Sequence, residues 1–111
     1  MNKAKLSPIH PGEILREELL IPLNISPSEL AQALHVPKEQ IQWIYEERAD
    51  ITPDLAVRLA IYFNSTAQFW MNMQKSYDEK ILADKMTDLR KMIHPHQLWN
   101  EKREESLRTG I

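Results

Sequence analysis

The chain has 111 residues and a net charge of −2, which predicts a single domain and argues against binding of polyanions through overall charge. It contains no cysteine, which excludes a disulfide framework and a thiolate metal site. No apolar run reaches the roughly 20 residues of a membrane span, and the N-terminal residues lack the apolar core of a signal peptide, so we expect a cytoplasmic protein.

The apolar residues recur at helical spacing throughout the chain, and the alternation typical of strands is absent. We therefore predict an all-α protein. Residues 1–9 are predicted to form a loose N-terminal arm. The first helix begins near Pro11, directs Ile14, Leu15 and Leu19 toward the core, and ends at Pro22.

The second predicted helix opens on a strong start signal. Ser26 and Glu29 have the spacing of a capping box, and Pro27 takes the first helical position, where its missing N–H costs no hydrogen bond. Leu30 and Leu34 then supply an apolar stripe at helical spacing.

A tight turn and a third helix follow. His35 lies where the turn needs a positive φ, which glycine usually supplies and which costs a histidine on the order of 1 kcal/mol. Pro37 begins the third helix, whose buried side is Ile41 and Ile44. This is the helix-turn-helix pattern, which normally places its second helix in the major groove of DNA.

The outward edge of the third helix carries side chains that can read bases. Lysine can donate to guanine, glutamine can read adenine, glutamate can accept from cytosine, and an apolar ring can pack on a thymine methyl group. Glu46 and Glu47 follow this helix directly, so we expect them to repel phosphate and to make DNA binding modest and salt-dependent. The predicted DNA-facing residues of this segment are Lys38, Glu39, Gln42, Trp43 and Arg48.

Two more helices complete the predicted domain. Thr52 caps the fourth helix, with Pro53 at its first position and Asp54 at the positive end of the helix dipole. The fifth helix, with Ser65 as its cap, carries a long aromatic and apolar stripe that either closes the core or packs against a second copy. We favour the second copy, because operator-binding proteins of this kind usually dimerise. The predicted dimer interface is Trp70, Met73, Tyr77 and Ile81.

The C-terminal region shows no sign of a reactive site. A further helix is predicted near Ile81–Met92, stopped by Pro95. His94 and His96 flank that proline at a spacing that does not place both on one helix face, which favours a surface turn over a metal site. The chain also has no glycine-rich phosphate loop and no nucleophile elbow. We expect no enzyme activity, no cofactor and no metal.

Three segments carry a family resemblance. They are HPGEILREELL at 10–20, LAQALHVPKEQI at 30–41 and ITPDLAVRLAIYFNSTAQFWMNMQKSYD at 51–78. Together they resemble the HigA-type antitoxins of bacterial toxin–antitoxin modules, which belong to the lambda-repressor-like helix-turn-helix proteins. The resemblance covers about residues 8–80, most of the chain.

The resemblance implies a compact five-helix helix-turn-helix domain over residues 10–80. The residues after it predict a C-terminal helix and tail over 81–111. It implies a homodimer that binds a palindromic double-stranded operator upstream of its own operon. It also implies a RelE-like ribonuclease toxin that the protein neutralises by binding. Carried over to this chain, the base- and phosphate-facing residues are Lys38, Glu39, Gln42 and Trp43, with Ser26, Ser28 and Arg48 near phosphate.

The chain departs from the family pattern at two places. His35 replaces the turn glycine, and Glu46, Glu47 and Arg48 replace the usual Asn-Gly and basic residue after the recognition helix. Residues 94–111 fall outside the resemblance. Two alternatives therefore stay open: a stand-alone transcriptional regulator without a toxin, and a protein-interaction module that has lost DNA binding. The acidic balance and Glu46–Glu47 are the reason for considering the interaction module.

Overall fold

The computed structural model describes residues 8–99 and Arg103, and every regular element among them is helical. The all-α prediction is confirmed. Most of the predicted N-terminal arm and most of the tail after residue 99 lie outside the described residues. The elements in chain order are α1 (Pro11–Ile14), which continues directly into a π-helical segment (Leu15–Leu20), α2 (Pro27–Leu34), α3 (Lys38–Tyr45), α4 (Pro53–Tyr62) and α5 (Ala67–Leu89).

Two helices begin with the caps that the sequence predicted. The Ser26 hydroxyl accepts from the Glu29 N–H at 3.1 Å, and the Glu29 carboxylate accepts from the Ser26 N–H at 2.9 Å. These two bonds complete the capping box of α2. Thr52 caps α4 by accepting from the N–H of Leu55 at 3.2 Å. Both starts are local in sequence, which is why the pattern revealed them.

The start of α5 differs from the prediction. Thr66, not Ser65, caps this helix, because its hydroxyl accepts from the Phe69 N–H at 3.0 Å. Ser65 instead accepts from the indole N–H of Trp70 at 3.0 Å. A buried indole N–H requires a hydrogen-bond partner, and the Ser65 hydroxyl supplies it.

Several helical segments end with a left-handed residue that is not glycine. After α3 the N–H of Arg48 donates to the Trp43 carbonyl and that of Glu47 to the Ile44 carbonyl, which is the Schellman arrangement. The positive φ predicted at His35 is confirmed, with a value of 58°. The left-handed residues are Asn24, His35, Glu47 and Asn64, with φ between 54° and 62°.

A π-helical segment explains a core residue that the α-helical pattern did not predict. Leu15 and Leu20 are both fully buried, although a spacing of five residues does not repeat on one face of an α-helix. In this segment the N–H of Ile21 donates to the carbonyl of Arg16, the i→i+5 bond of a π-helix. The wider turn brings both leucines to the core.

Helix α5 is longer than predicted. It runs unbroken from Ala67 to Leu89, so the separate helix predicted near Ile81–Met92 is wrong, and α5 ends well before Pro95. No proline or glycine lies between residues 67 and 92, so no residue there removes a helical bond or favours a break. One helix therefore replaces the predicted pair.

The chain divides into two compact units between Ile81 and Leu82. The first unit contains the helix-turn-helix and the buried core. In the second, every described residue is exposed, and residues 97–99 are helical. None of the described helices combines the length and the apolar content that a membrane crossing requires.

Candidate nucleic-acid interface

The outer edge of α3 presents most of the predicted DNA-facing side chains to solvent. Lys38, Glu39 and Gln42 are exposed, and Trp43 is 48% exposed despite its large ring. On the opposite side of the same helix, Ile41 and Ile44 are fully buried. The helix therefore has an apolar side fixed in the core and a polar edge, with one aromatic ring, open to a partner.

The inner side of α3 lies directly against the first helix. A Cβ built on Gly12 would stand 1.8 Å from the carbonyl oxygen of Ile44, so only glycine allows this backbone approach. The Gly12 N–H donates to Nδ1 of His10 at 2.8 Å, which caps α1. The HPGE segment thus holds the last turn of the recognition helix at a fixed distance.

The buried position of His10 has an electrostatic consequence. Burial lowers the pKa of His10 below 6.5, although the carboxylates of Glu47, Asp50 and Asp78 act in the opposite direction. The His10 ring also packs edge-on against Tyr77, with centroids 4.8 Å apart. A neutral ring can accept through Nδ1, whereas a protonated ring cannot.

Arg16 neutralises one of the two acidic residues that follow α3. Its guanidinium donates to the carbonyl of Tyr45 and, at 2.9 Å, to the carboxylate of Glu47, and it lies over the Tyr45 ring. The hydrogen bond with Glu47 is the main reason that the pKa of Arg16 is raised. The sequence suggested that Glu47 would repel phosphate as an unpaired charge. In the structure its charge is paired with Arg16.

Glu46, the other acidic residue, contacts two of the predicted DNA-facing side chains. Its carboxylate accepts from Nε2 of Gln42 at 2.8 Å and from the guanidinium of Arg48 at 3.2 Å. These bonds, with that from Gln42 the stronger influence, lower the pKa of Glu46. The side chain of Arg48 remains 69% exposed, so it can still reach a phosphate.

The predicted phosphate contacts at α2 lie at its N-terminal end. Ser26 is exposed but its hydroxyl already accepts from the Glu29 N–H as the cap. Ser28, at the second position of the helix, is exposed as well. Both serines therefore stand where the positive end of a helix dipole meets solvent.

Sequence reasoning missed two arginines that fix the helix-turn-helix. Arg16 donates to the end of α3, and Arg58 of α4 donates to the Leu34 carbonyl at the end of α2 at 2.7 Å. The bonded residues are 29 and 24 positions apart in the chain, so no local pattern links them. The signal available in the sequence was only the general one that the last carbonyl groups of a helix need hydrogen-bond donors from elsewhere.

A buried glutamine was missed as well. Gln74 of α5 accepts from the Ile51 N–H at 2.7 Å and donates to Asp50 at 3.2 Å and Asp78 at 3.0 Å. This network ties α5 to the segment between α3 and α4. No buried side-chain nitrogen or oxygen among the described residues lacks a partner.

The predicted dimer residues separate in the structure. Trp70 is fully buried by the rest of its own chain, which removes its side chain from any surface offered to a partner. Met73 and Tyr77 are half-buried, and Ile81 is 39% exposed. A shallow, mainly apolar groove lies beside them, lined by Ile9, Ile14, Phe69, Asn72, Met73 and Ser76.

The histidines give no metal site in the described part of the chain. Within it, no group of three or more histidine and acidic side chains is placed to hold an ion. His96 instead accepts at Nδ1 from the N–H of Trp99, at 3.4 Å. His94 and His96 are both exposed and lie outside the helical residues.

Comparison with known proteins places this fold in a class and then in a family. No protein-family model matches the chain. The Pseudomonas aeruginosa antitoxin HigA, solved with the higBA promoter, is 44% identical with a TM-score of 0.71, over 79% of this chain and 97% of that one. Virulence-associated protein I of Dichelobacter nodosus is 51% identical, over 71% of this chain and 73% of its own.

A third relative is the uncharacterized HTH-type transcriptional regulator YbaQ of Escherichia coli K12, 37% identical over 70% of this chain and 69% of its own. The fold and the exposed edge of α3 define a helix-turn-helix protein. The chain belongs to the HigA family of helix-turn-helix antitoxins. The relatives that establish this membership are antitoxins and regulators rather than enzymes.

Proposed function

We propose that this protein binds double-stranded operator DNA through the outer edge of α3 and represses its own operon. The observation that carries the proposal is the exposure of Lys38, Gln42 and Trp43 on one edge, while Ile41 and Ile44 fix the opposite side in the core. Family membership supports it, since a relative was solved with promoter DNA.

Each side chain on this edge has a chemical role in the proposal. Lys38 donates to guanine and Gln42 reads adenine, whereas Glu39 accepts from cytosine. Trp43 packs on a thymine methyl group or a sugar. Phosphate contacts that set the register come from Arg48 and from the N-terminal end of α2 at Ser26 and Ser28. No base or phosphate contact rests on overall charge.

A homodimer completes the proposed repressor. Two recognition helices must meet successive major grooves about 34 Å apart to read a palindrome. We place the dimer contact on the exposed side of α5, at Met73, Tyr77 and Ile81, and extend it to the neighbouring Phe69. Substituting Met73→Asp should turn dimer into monomer in analytical ultracentrifugation, and the exposed Lys75→Asp serves as the control.

The second partner in the proposal is a toxin of the RelE-like ribonuclease type, neutralised by direct binding in the cytoplasm. The support is membership of an antitoxin family. Co-expression with the product of the adjacent gene tests it. Copurification and relief of growth arrest are expected, whereas toxicity that persists despite both proteins being present would refute the toxin half alone.

A gel shift on the duplex upstream of the protein's own gene tests DNA binding. We expect the double variant Lys38→Ala, Trp43→Ala to bind about tenfold more weakly or worse. Lys75→Ala removes the same charge from α5 and should bind as the wild type does. If the wild-type chain gave no gel shift at low salt, the proposed repressor function would be refuted.

A stand-alone regulator without a toxin is the second candidate. The likeness to a relative described only as a transcriptional regulator favours it. Both candidates predict the same gel shift, so the adjacent gene distinguishes them. A neighbouring reading frame whose product copurifies with this protein supports the antitoxin, and the absence of one supports the regulator.

A further inference from the structure

Glu46 holds two of the proposed DNA-reading side chains at once. Its carboxylate accepts from the Gln42 amide at 2.8 Å and from the Arg48 guanidinium at 3.2 Å. Gln42 lies one helical turn before Glu46, and Arg48 lies two residues after it. All of them are exposed. One acidic side chain therefore connects the middle of the outer edge of α3 to the loop that follows.

The contact with Glu46 fixes how the Gln42 amide is oriented. A carboxylate only accepts hydrogen bonds, so the amide must direct its nitrogen toward Glu46. The lowered pKa of Glu46 keeps it ionised over the range in which proteins work. The amide oxygen and the second N–H of Gln42 then remain for a base, and they are the acceptor and donor that bidentate contact with adenine needs.

The contact with Arg48 has the opposite effect on affinity. An arginine paired with a carboxylate contributes less net positive charge to a phosphate than an arginine alone, and fewer counterions are released when DNA binds. Glu46 therefore orients the amide of Gln42 and weakens the attraction of Arg48 for the phosphate backbone, which is the same in every DNA sequence.

We propose that Glu46 is a positioning residue that makes this protein more selective among operator sequences and weaker on DNA in general. The inference rests on the proposed DNA binding and deepens it. It gives a role to one of the two acidic residues that, by sequence, seemed only to oppose binding. Glu47 has no part in it, because its carboxylate is directed to Arg16.

Two substitutions at position 46 separate the two effects. Glu46→Gln keeps a neutral oxygen that can accept from Gln42 but loses the charge that holds Arg48. Glu46→Ala loses both. Glu47→Gln removes the same charge from the adjacent residue and touches neither reader, so it is the matched control. Gln42→Ala identifies the base pair that Gln42 reads.

The experiment measures dissociation constants for each variant on the upstream duplex, on the same duplex with single base pairs changed, and on a duplex of scrambled sequence. Gln42→Ala should lose discrimination at one base pair, by about tenfold. Glu46→Ala should lose it at the same pair and bind scrambled DNA more tightly. Glu46→Gln should bind scrambled DNA more tightly yet keep the discrimination, whereas Glu47→Gln should match the wild type in both measurements.

Several outcomes would overturn the inference. They are full discrimination by Glu46→Ala, equal gains on scrambled DNA for Glu46→Gln and Glu47→Gln, or no pair at which Gln42→Ala differs from wild type. Failure of the wild-type chain to bind any duplex is a different result, because it removes DNA binding itself. The side-chain amide protons of Gln42, followed by NMR without DNA, should shift in Glu46→Ala and stay in place in Glu47→Gln.

Discussion

The two sides of α3 are held by different kinds of contact. On the inner side, Ile41 and Ile44 are buried and the Gly12 backbone meets the Ile44 carbonyl with no room for a Cβ. On the outer side, the contacts are exposed hydrogen bonds centred on Glu46. The inner contacts cannot be exchanged without disturbing the fold, whereas the outer ones are those that we propose DNA bases and phosphates replace.

The magnitudes explain why this division suits a reading helix. Close-packed contacts lose on the order of kilocalories when a single methyl group is forced in, whereas exposed ion pairs contribute about 0–1 kcal/mol each. The position of α3 is therefore insensitive to what its outer edge does. Substitutions on the inner side should lower stability more than substitutions on the outer edge.

Gly12→Ala should have the largest effect. The added methyl group would collide with the Ile44 carbonyl, and we expect a loss of about 3 kcal/mol in the free energy of unfolding. Urea denaturation measures it. Trp43→Ala, a far larger truncation on the outer edge, is the control and should cost less than about 1 kcal/mol. Equal losses would show that the two sides are not different.

Arg16→Met should have the next largest effect. It keeps an apolar stem but loses the bonds to the Tyr45 carbonyl and Glu47, and we expect a loss of about 1.5 kcal/mol. Arg58→Met, which removes the corresponding bond to Leu34, should cost less because Arg58 is more exposed. If Arg58→Met cost more than Arg16→Met in urea denaturation, the greater importance of the Arg16 contact would be contradicted.

His35→Gly should stabilise the protein slightly. Glycine removes the strain of a left-handed residue with a side chain, about 1 kcal/mol. It also costs roughly 0.5 kcal/mol, because glycine raises the conformational entropy of the unfolded chain. We therefore expect a gain of about 0.5 kcal/mol, seen as a higher Tm. The same change at Ser28, inside α2 and not left-handed, should lower Tm. A lower Tm for both would mean that His35 is not strained.

The smallest effect concerns pH. Burial lowers the pKa of His10 in the folded chain below its ordinary value of 6.5, so the unfolded chain binds the proton more readily. The contribution of His10 to stability is complete above pH 6.5 and is lost as the pH falls below it. His10→Asn keeps a cap acceptor without titrating, and its Tm should vary less over this range. A wild-type Tm no more pH-dependent than that of the variant would contradict this.

Much of the fold could be predicted because its signals lie within a few residues of each other. The caps at Ser26 and Thr52 and the left-handed turn at His35 depend on neighbours in the chain, and all are found as expected. The exposed edge of α3 follows from the burial of Ile41 and Ile44 at helical spacing. The roles assigned to the DNA-facing residues stay predictions.

Other features depended on partners distant in the chain. Trp70 belongs to a stripe whose spacing fits a dimer surface equally well, and only packing within the chain buries it. The wider turn of the π-helical segment after α1 changes the face on which Leu20 lies. Helix α5 is a single helix in the structure, and periodicity alone does not distinguish one long helix from two consecutive ones.

The sequence by itself determined the all-helical class, the starts of α2 and α4 and the polar edge of the recognition helix, because capping and periodicity act over a turn or two of backbone. Only the tertiary structure decided how the charges after that helix are used. Glu47 pairs with Arg16 from another helix, and Glu46 turns to Gln42 and Arg48. Charge pairing depends on distance in space, which the order of residues does not fix.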